Sequence, residues 1–206
     1  PQLYVDTDSD KSICHYFDSL DQSRPIIGLC IGNADPSFTN RWLRVGRVFP
    51  KAWGITKMHN LLDLLIKDGN QIVLIGGPQE ILLLEELTEF LKLPHVINLV
   101  GKCSIKQSMA AIKRCTCSIG IDTGMQHIAG ALSVPTISIF GPTNPKYIGA
   151  FSDCSYFVEY ETDCKYCFGT NQYLHCNHRR CLTEITPQQV MDTVHQVLKK
   201  GNHENV

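Results

Sequence analysis

The most informative segment of the chain is Thr116-Cys117-Ser118-Ile119-Gly120-Ile121-Asp122-Thr123-Gly124. Its first six residues form a mainly apolar run of strand length, which is typical of a strand buried on both faces of a parallel sheet. The Asp-Thr-Gly triplet then leads into a short helix that we predict over residues 125–132. A buried strand that passes through a glycine-bearing loop into a helix predicts an α/β unit.

The same alternation extends in both directions along the chain. Apolar strands are predicted at residues 26–31, 71–75, 96–100, 116–121 and 136–140. Helical spacing is found at residues 55–67, 80–93, 105–114 and 187–200, with Ser104 and Thr186 as the expected N-caps of the last two helices. This order predicts a Rossmann-like, doubly wound α/β domain whose parallel sheet is covered on both faces.

Composition divides the chain into three parts. Residues 1–24 are polar and acidic after a short apolar start, and we interpret them as a lead-in or linker. Residues 25–153 form the predicted Rossmann-like core, and residues 154–206 a cysteine-rich segment and a C-terminal helix packed on the same domain. The first residue is Pro1 rather than Met, so a fragment of a longer protein is one interpretation.

The overall composition excludes two classes of partner. Among 206 residues, 43% are hydrophobic and 19% charged, and the net charge is -1. A neutral balance of this kind gives no basic field for nucleic acid and no polybasic patch for a membrane surface. The apolar runs stop well short of the ~20 residues that a membrane span needs. We therefore expect a globular protein without a nucleic-acid partner or a membrane span.

Glycine-bearing polar loops follow all five predicted strands. In a doubly wound sheet, ligands bind outside the carboxyl ends of the strands, so these loops predict a cleft along one edge. Glycine at such a position lets a ligand approach the backbone closely. The loops are Gly32-Asn33, Gly76-Gly77, Gly101-Lys102, Asp122-Thr123-Gly124 and Gly141-Pro142-Thr143.

The loop that begins at Asp122 has the chemistry of an anion site. The free N–H groups of the first helical turn, the Thr123 hydroxyl and His127 one turn further on all favour a phosphate. Asp122 would repel phosphate, so it is expected to accept hydrogen bonds from sugar hydroxyls or to cap the helix. The alternative is purely structural, with Asp122 or Thr123 as an N-cap and His127 as a packed histidine.

Three longer strings resemble one known family. Residues 100–105, 119–132 and 135–145 resemble the C-terminal half of the bacterial heptosyltransferases, glycosyltransferase family nine, and the likeness extends from about Pro25 to the C-terminal helix. The resemblance implies a GT-B fold of two Rossmann-like domains with the active site between them. The C-terminal domain of the family binds the donor, usually ADP-heptose. The N-terminal domain binds the acceptor and supplies the catalytic base, which we therefore expect outside this chain.

The resemblance also implies roles for individual residues. Asp122 matches the family aspartate that contacts the donor sugar, and Thr123, Gly124 and His127 match its diphosphate-binding loop. Glu80 matches an acidic residue that binds the ribose hydroxyls.

Two more positions follow from the resemblance. Cys103 occupies a position that lines the adenine pocket. The string Arg47-Val48-Phe49-Pro50 matches the family pattern Lys-x-Trp-Pro, whose lysine neutralises the diphosphate leaving group. Arginine keeps the positive charge and can bind phosphate oxygens in pairs. Arg41 and Arg44 are rival cations in what resembles an insertion.

The activity implied by this resemblance is that of an inverting glycosyltransferase. The acceptor is a lipopolysaccharide-core or protein hydroxyl, and the chemistry requires no metal or other cofactor. The implied location is cytoplasmic, with the inner face of the bacterial inner membrane as one placement. Two alternatives stay open: a nucleotide-binding subunit without catalytic activity, and a transferase that uses a UDP-sugar.

Of the ten cysteines, four fall between Cys164 and Cys181 and the other six are scattered. Cys30, Cys115 and Cys117 lie in apolar runs and are expected to be buried free thiols of a reducing compartment. A second group has the spacing C-x2-C-x8-C-x4-C, which suits a structural zinc or iron site; its members are Cys164, Cys167, Cys176 and Cys181.

Other interpretations of this second group stay open. His175 and His178 are alternative ligands, and the competing interpretation of the cysteines is free thiols or a disulfide. A small metal-binding interaction domain is a further functional class. The resemblance associates a tetracysteine iron site with the family branch that modifies autotransporter adhesins.

Overall fold

The core of the protein is a single sheet of six parallel strands. The structure is a computed structural model that describes residues 2–32 and 52–203. The strands are β1 (Ile26–Cys30), β2 (Gln71–Ile75), β3 (Val96–Asn98), β4 (Cys117–Ile121), β5 (Thr136–Ile139) and β6 (Ser155–Val158). Their spatial order is β3-β2-β1-β4-β5-β6, which is the order of a Rossmann fold and confirms the predicted class.

Helices cover both faces of this sheet. The α-helices are α1 (Thr7–Cys14), α2 (Ile55–Lys67), α3 (Ile105–Lys113), α4 (Gly124–Ala131), α5 (Pro145–Ile148), α6 (Asn171–Leu174), α7 (Arg180–Thr183) and α8 (Pro187–His203). In the described part of the chain, three 3-10 helices lie at His15–Phe17, Pro78–Leu87 and Phe90–Lys92. Over the described ranges, none of the helices combines the length and the apolar character that a bilayer crossing requires.

Alternation along each strand builds two hydrophobic cores. In β1, Ile27 and Leu29 face the core that α2 and α8 cover, and Ile26 and Cys30 face the core formed with α1, α3 and α4. All five residues of β1 are buried. This two-sided burial explains why the strand reads as a continuous apolar run rather than as an alternating pattern.

The sixth strand and the helix expected over residues 80–93 differ from the sequence prediction. The sixth strand, β6, escaped detection because it is a partly exposed edge strand without a continuous apolar run. The helix expected over residues 80–93 consists of two 3-10 helices. Its buried positions are three or four residues apart, a spacing that α and 3-10 geometry satisfy almost equally well; they are Glu80, Leu83, Leu87 and Phe90.

The first twenty residues contain more structure than the expected linker. Helix α1 is capped by Asp6, whose Oδ1 accepts a hydrogen bond of 2.9 Å from Ser9 N. Ile13, Phe17 and Leu20 are buried in the same core as α3. The polar residues that suggested a linker are the exposed side of a helix that is packed on the sheet.

Both predicted N-caps are confirmed. The Ser104 Oγ accepts a hydrogen bond of 3.3 Å from Gln107 N, and Gln107 Oε1 accepts one from Ser104 N. The Thr186 Oγ1 likewise accepts from Gln189 N at 3.2 Å, and Gln189 Oε1 accepts from Thr186 N. Each pair forms a capping box that fixes the start of its helix.

A cluster of hydrogen bonds holds the segment before α8 against the start of α2. The Lys57 ammonium donates to the carbonyl oxygens of Leu182 (3.1 Å) and Ile185 (2.7 Å), and also to that of Thr183. The Trp53 Nε1 donates to the same Ile185 carbonyl at 3.0 Å. One lysine therefore satisfies carbonyl groups that the end of the short helix α7 leaves without helical partners.

We predict that Lys57→Met destabilises the protein by about 1–3 kcal/mol, because the carbonyl groups lose their charged donor while partly shielded from water. The measurement is the free energy of unfolding from urea titration. Lys67→Met is the matched control, since its salt bridge with Asp63 is exposed and is expected to contribute less than about 1 kcal/mol. Equal effects of the two substitutions would contradict the anchoring role of Lys57.

Candidate functional site

The sheet has one position at which its strand order reverses. β1 pairs in parallel with β2 on one side and with β4 on the other. The connections that leave these strands therefore diverge and leave a crevice at their carboxyl ends, which is where ligands bind in folds of this type.

A cavity of about 320 Å³ lies at this crevice. It brings together the loops that follow β1, β2 and β4, represented by Gly32, Gly76-Gly77-Pro78 and Thr123-Gly124. Three of the five loops predicted from the sequence thus meet at one cavity. Its volume lies at the lower end of the range typical of small-molecule sites.

Most of the cavity wall is apolar or carries sulfur. The apolar part comes from Ile75, Ile105, Met125 and Ile128, and the thiols of Cys30 and Cys103 contribute the sulfur. Three polar side chains line the wall within the described part of the chain, and they are Glu80, Ser108 and Thr123. An apolar slot with a few polar groups suits the flat face of a base together with the polar part of a nucleotide.

Thr123 is the N-cap of α4, but its side chain makes no capping hydrogen bond. The Thr123 Oγ1 is buried, and no hydrogen-bond partner is found for it in the described ranges. The Thr123 carbonyl accepts from Gln126 N at 3.1 Å, which closes the first turn of the helix. A buried hydroxyl without a partner is costly unless a ligand satisfies it, and here it lies beside a helix N-terminus that favours anions.

The neighbours of Thr123 complete the loop. A side chain at Gly124 would meet open space, so the backbone here is accessible to a ligand. Asp122 is half-buried, and its Oδ2 accepts a 3.0 Å hydrogen bond from the Oγ1 of buried Thr143. The N-cap is thus Thr123 and not Asp122. His127 is exposed, so the alternative of a packed histidine is wrong.

Glu80 lies at that end of the cavity where the loops after β1 and β2 meet. It is 2% exposed, and its Oε2 accepts a 2.6 Å hydrogen bond from Gly77 N. Gly32 leaves the space that the Glu80 side chain occupies, because a Cβ at position 32 would lie 1.9 Å from the Glu80 Cγ. The carboxylate is therefore held at the cavity wall by local packing.

Cys103 is half-buried in the cavity wall, and burial raises the pKa of its thiol above the usual value. The expected buried thiols are confirmed elsewhere: Cys30, Cys115 and Cys117 are all buried and free. Burial raises the pKa of Cys30 to about 11 and that of Cys117 to about 12, so these thiols stay uncharged at neutral pH.

The cysteine-rich segment lies next to the loop that follows β5. Phe168 N donates a 2.9 Å hydrogen bond to the Pro142 carbonyl. The pKa of the Cys181 thiol is raised to about 11 by burial and then by the other three thiols of the cluster, Cys167, Cys164 and Cys176. The four sulfur atoms are thus close enough to interact electrostatically. All four are free, so the disulfide interpretation is not supported.

The geometry required for a metal is not present as the side chains stand. In the described ranges, no three or more His, Cys, Asp or Glu side chains are arranged to hold a metal ion. One feature is compatible with thiolate ligation, because Arg179 N donates to Cys176 Sγ at 3.4 Å. The rival ligands His175 and His178 are exposed, and each has one ring nitrogen in a hydrogen bond with the backbone.

Sequence reasoning missed three residues of this region and assigned others that the structure does not describe. Ser108 and Gln126 sit in helices where no local pattern marks them, whereas Thr143 lies in a strand-end loop that was already a candidate. Asn33 and the segment with Arg41, Arg44 and Arg47 lie outside the described residues.

A Rossmann-type sheet with a half-apolar cavity at its switch point defines an α/β domain of the doubly wound class, in which ligands bind at this edge of the sheet. The chain belongs to glycosyltransferase family 9 (heptosyltransferase), whose family model matches residues 14–178.

Individual relatives agree with this membership. The chain is 28% identical over 205 residues to lipopolysaccharide heptosyltransferase 2 of Salmonella typhimurium, covering 97% of this chain and 54% of the relative. It is 29% identical over 188 residues to lipooligosaccharide heptosyltransferase 2 of Haemophilus influenzae, covering 86% and 48%. The chain therefore spans about half the length of these relatives.

A solved structure shares the fold. The ADP-heptose LPS heptosyltransferase II of E. coli superimposes with a TM-score of 0.73 at 25% identity, covering 98% of this chain and 54% of that one. The sequence-based recognition of the family and of its α/β fold is thereby confirmed.

Proposed function

We propose that this chain is the donor-binding domain of an inverting glycosyltransferase that takes an ADP-sugar, with a heptose as the sugar. The proposal is supported by family membership and by the E. coli neighbour described as an ADP-heptose enzyme. The acceptor in this proposal is a hydroxyl of lipopolysaccharide core, which is supported by the Salmonella relative named lipopolysaccharide heptosyltransferase 2, with a protein hydroxyl as the alternative.

The observation that carries the proposal is the unsatisfied Thr123 hydroxyl at the head of α4. Thr123 lines a cavity whose remaining wall is mostly apolar. A nucleoside diphosphate matches a site that has an apolar part and a polar helix end. Its base prefers the apolar part and its phosphates prefer the helix N-terminus. Cys103 then borders the adenine, Glu80 the ribose, and Thr123 with Gly124 the diphosphate.

The role of these residues in transfer is electrostatic. As the bond between the sugar and the diphosphate breaks, negative charge grows on the leaving diphosphate. Thr123, His127 and the amides of α4 stabilise that charge from fixed positions, which lowers the barrier without a metal ion. Asp122, held by Thr143, contacts hydroxyls of the sugar. The base that deprotonates the acceptor is supplied by the N-terminal acceptor domain of the same protein.

We predict that the protein binds ADP more tightly than UDP, and that Thr123→Val weakens ADP binding by roughly ten-fold or more, because a hydrogen bond to a charged oxygen is lost. Isothermal titration calorimetry gives both affinities. The melting temperature of the variant should not fall, since no partner of this hydroxyl is found among the residues that the structure describes.

Thr88→Val is the matched control for this prediction, because Thr88 is exposed and remote from the cavity lining. Failure to bind either nucleotide would refute the donor site. Tighter binding of UDP would overturn the adenine assignment and favour the alternative of a UDP-sugar. Firm ADP binding without transfer by the full-length protein, acceptor domain included, would favour the alternative of a non-catalytic subunit.

Lys51 is a second candidate, besides Arg47, for the cation that faces the diphosphate. The string Lys51-Ala52-Trp53-Gly54 keeps both the lysine and the tryptophan of the family pattern Lys-x-Trp-Pro, with glycine in place of proline. Trp53 is buried and lines a small cavity together with Gly32 and Ile121, which flank the switch point. This position of the tryptophan favours Lys51 over Arg47 as the cation of the donor site.

We therefore expect Lys51→Met to weaken ADP binding by roughly ten-fold, since a charge-assisted hydrogen bond to phosphate is lost. Arg47→Met serves as the comparison, with an expected change below about two-fold. Calorimetry with ADP distinguishes the two assignments. The opposite ranking would restore Arg47, and an unchanged affinity in both variants would remove the cation from either position.

We also propose that the four clustered cysteines bind a structural zinc or iron ion. The donor set suits such a metal, and the four thiols lie in one neighbourhood, although binding requires them to move closer together. The residues that would hold the ion are Cys164, Cys167, Cys176 and Cys181. Such an ion would order the segment and take no part in transfer.

The expected metal content is about one zinc or iron ion per chain, as for a four-cysteine structural site. Elemental analysis by mass spectrometry of protein purified without added chelator measures it. Cys164→Ser and Cys181→Ser should each lower the content strongly, whereas Cys154→Ser, at an exposed cysteine outside the cluster, should leave it unchanged. Metal-free wild-type protein would refute this proposal.

A further inference from the structure

A buried polar side chain connects the first turn of α4 to the strand that precedes it. Gln126 is 2% exposed and belongs to this first turn. Its Nε2 donates a 3.2 Å hydrogen bond to the Oγ of Ser118, a fully buried residue of β4. The helix end that carries Thr123 is therefore tied to the sheet through a side chain as well as through the backbone.

A glycine on β4 leaves space for the Gln126 amide. Gly120 lies on β4 beneath it, and a Cβ at that position would stand 2.5 Å from the Gln126 Nε2 and 3.0 Å from the Cys30 Cβ. Any larger residue at position 120 would force the Gln126 amide or its neighbours to move. The amide group is thus held in one place by a hydrogen bond on one side and by close packing on the other.

The bridge extends to the wall of the cavity. The Cys30 Sγ lies 3.8 Å from the Ser118 Oγ, and Cys30 lines the cavity. Burial keeps the Cys30 thiol protonated by raising its pKa to about 11. An uncharged network thus runs from the cavity wall through Ser118 to the first turn of α4.

Stability alone does not account for this arrangement. The Gln126 Oε1 is buried, and no hydrogen-bond partner is found for it in the described ranges. An unpaired buried carbonyl loses its hydration without compensation, which offsets much of what the hydrogen bond to Ser118 contributes to stability. The retained amide therefore points to a role other than stabilising the core.

We propose that Gln126 is a positioning residue that fixes the first turn of α4 over the cavity, so that its amides and the Thr123 hydroxyl meet the donor diphosphate. This inference rests on the proposed donor site. Charge-assisted hydrogen bonds to phosphate require donor–acceptor distances near 2.7–2.9 Å and lose strength quickly beyond them. A small shift of the turn is therefore enough to weaken the contacts to the diphosphate without touching the base.

The test compares the affinities for ADP and for adenosine in the purified protein by calorimetry. Gln126→Met and Ser118→Ala are each expected to weaken ADP binding by about ten-fold and to leave adenosine binding unchanged, because adenosine has no phosphate. The double variant should weaken ADP binding no more than either single variant, since both remove the same bridge. Gln126→Met leaves the buried Ser118 hydroxyl without its amide donor, so its melting temperature is expected to fall modestly, and both affinities are measured well below that temperature.

Ser138→Ala is the matched control. Ser138 lies opposite Gly120 on β5, and its buried Oγ also has no partner in the described part of the chain. Removing it deletes a buried hydroxyl from the same region without cutting the bridge to α4, so ADP affinity should not change. A ten-fold loss in this control would show that any buried substitution disturbs the site, and would overturn the inference.

Other outcomes of the same measurements separate the positioning role from the donor site itself. Wild-type affinity for ADP in both Gln126→Met and Ser118→Ala overturns the positioning role while leaving the donor site intact. An equal loss for ADP and adenosine shows a general structural role and also overturns it. Absence of ADP binding in the wild type refutes the proposed function and this inference with it. If Gln126→Met fails to fold, Ser118→Ala carries the test, because it leaves the glutamine in place.

Discussion

The parallel pairing of β1 with β2 on one side and β4 on the other is the constraint on which the candidate site depends. Because the strand order reverses at β1, the loops that follow these strands turn away from each other and leave a crevice. Burial of β1 on both faces gives it partners above and below the sheet as well. The location of the cavity is therefore a property of the topology, and the side chains decide only what it can bind.

Some side chains of the site offer apolar contacts, and others present polar groups in fixed positions. One part of the cavity is formed by aliphatic and sulfur-bearing groups, and the other by a helix end with an unsatisfied hydroxyl. Groups of the second kind favour an anion because their positions are fixed before it arrives, so little reorganisation accompanies binding. Within residues 2–32 and 52–203, buried polar atoms without partners occur at Thr123 and Gln126, both within the same short helical region.

The sequence was sufficient for the parts of the fold that rest on strong local patterns. Strands buried on both faces, such as β1 and β4, stand out as apolar runs, and Ser104 and Thr186 mark helix starts through capping boxes. The edge strand β6 and helix α1 were missed because half-exposed elements carry weak patterns. The candidate site was predictable where a loop follows a strand. Gln126 and Ser108 were not, because their importance comes from tertiary neighbours that no local spacing encodes.

The glycines around the site have a consequence for the evolution and redesign of this domain. A Cβ at Gly32 would collide with Glu80, and one at Gly141 would lie 2.5 Å from the Leu182 Cγ. These positions are closed to substitution by the space that their neighbours occupy, whatever ligand the domain binds. Variation in donor preference must therefore arise at wall residues with room to change, such as Cys103 and Ser108. A library built to alter the nucleotide should diversify those side chains and leave the glycines invariant.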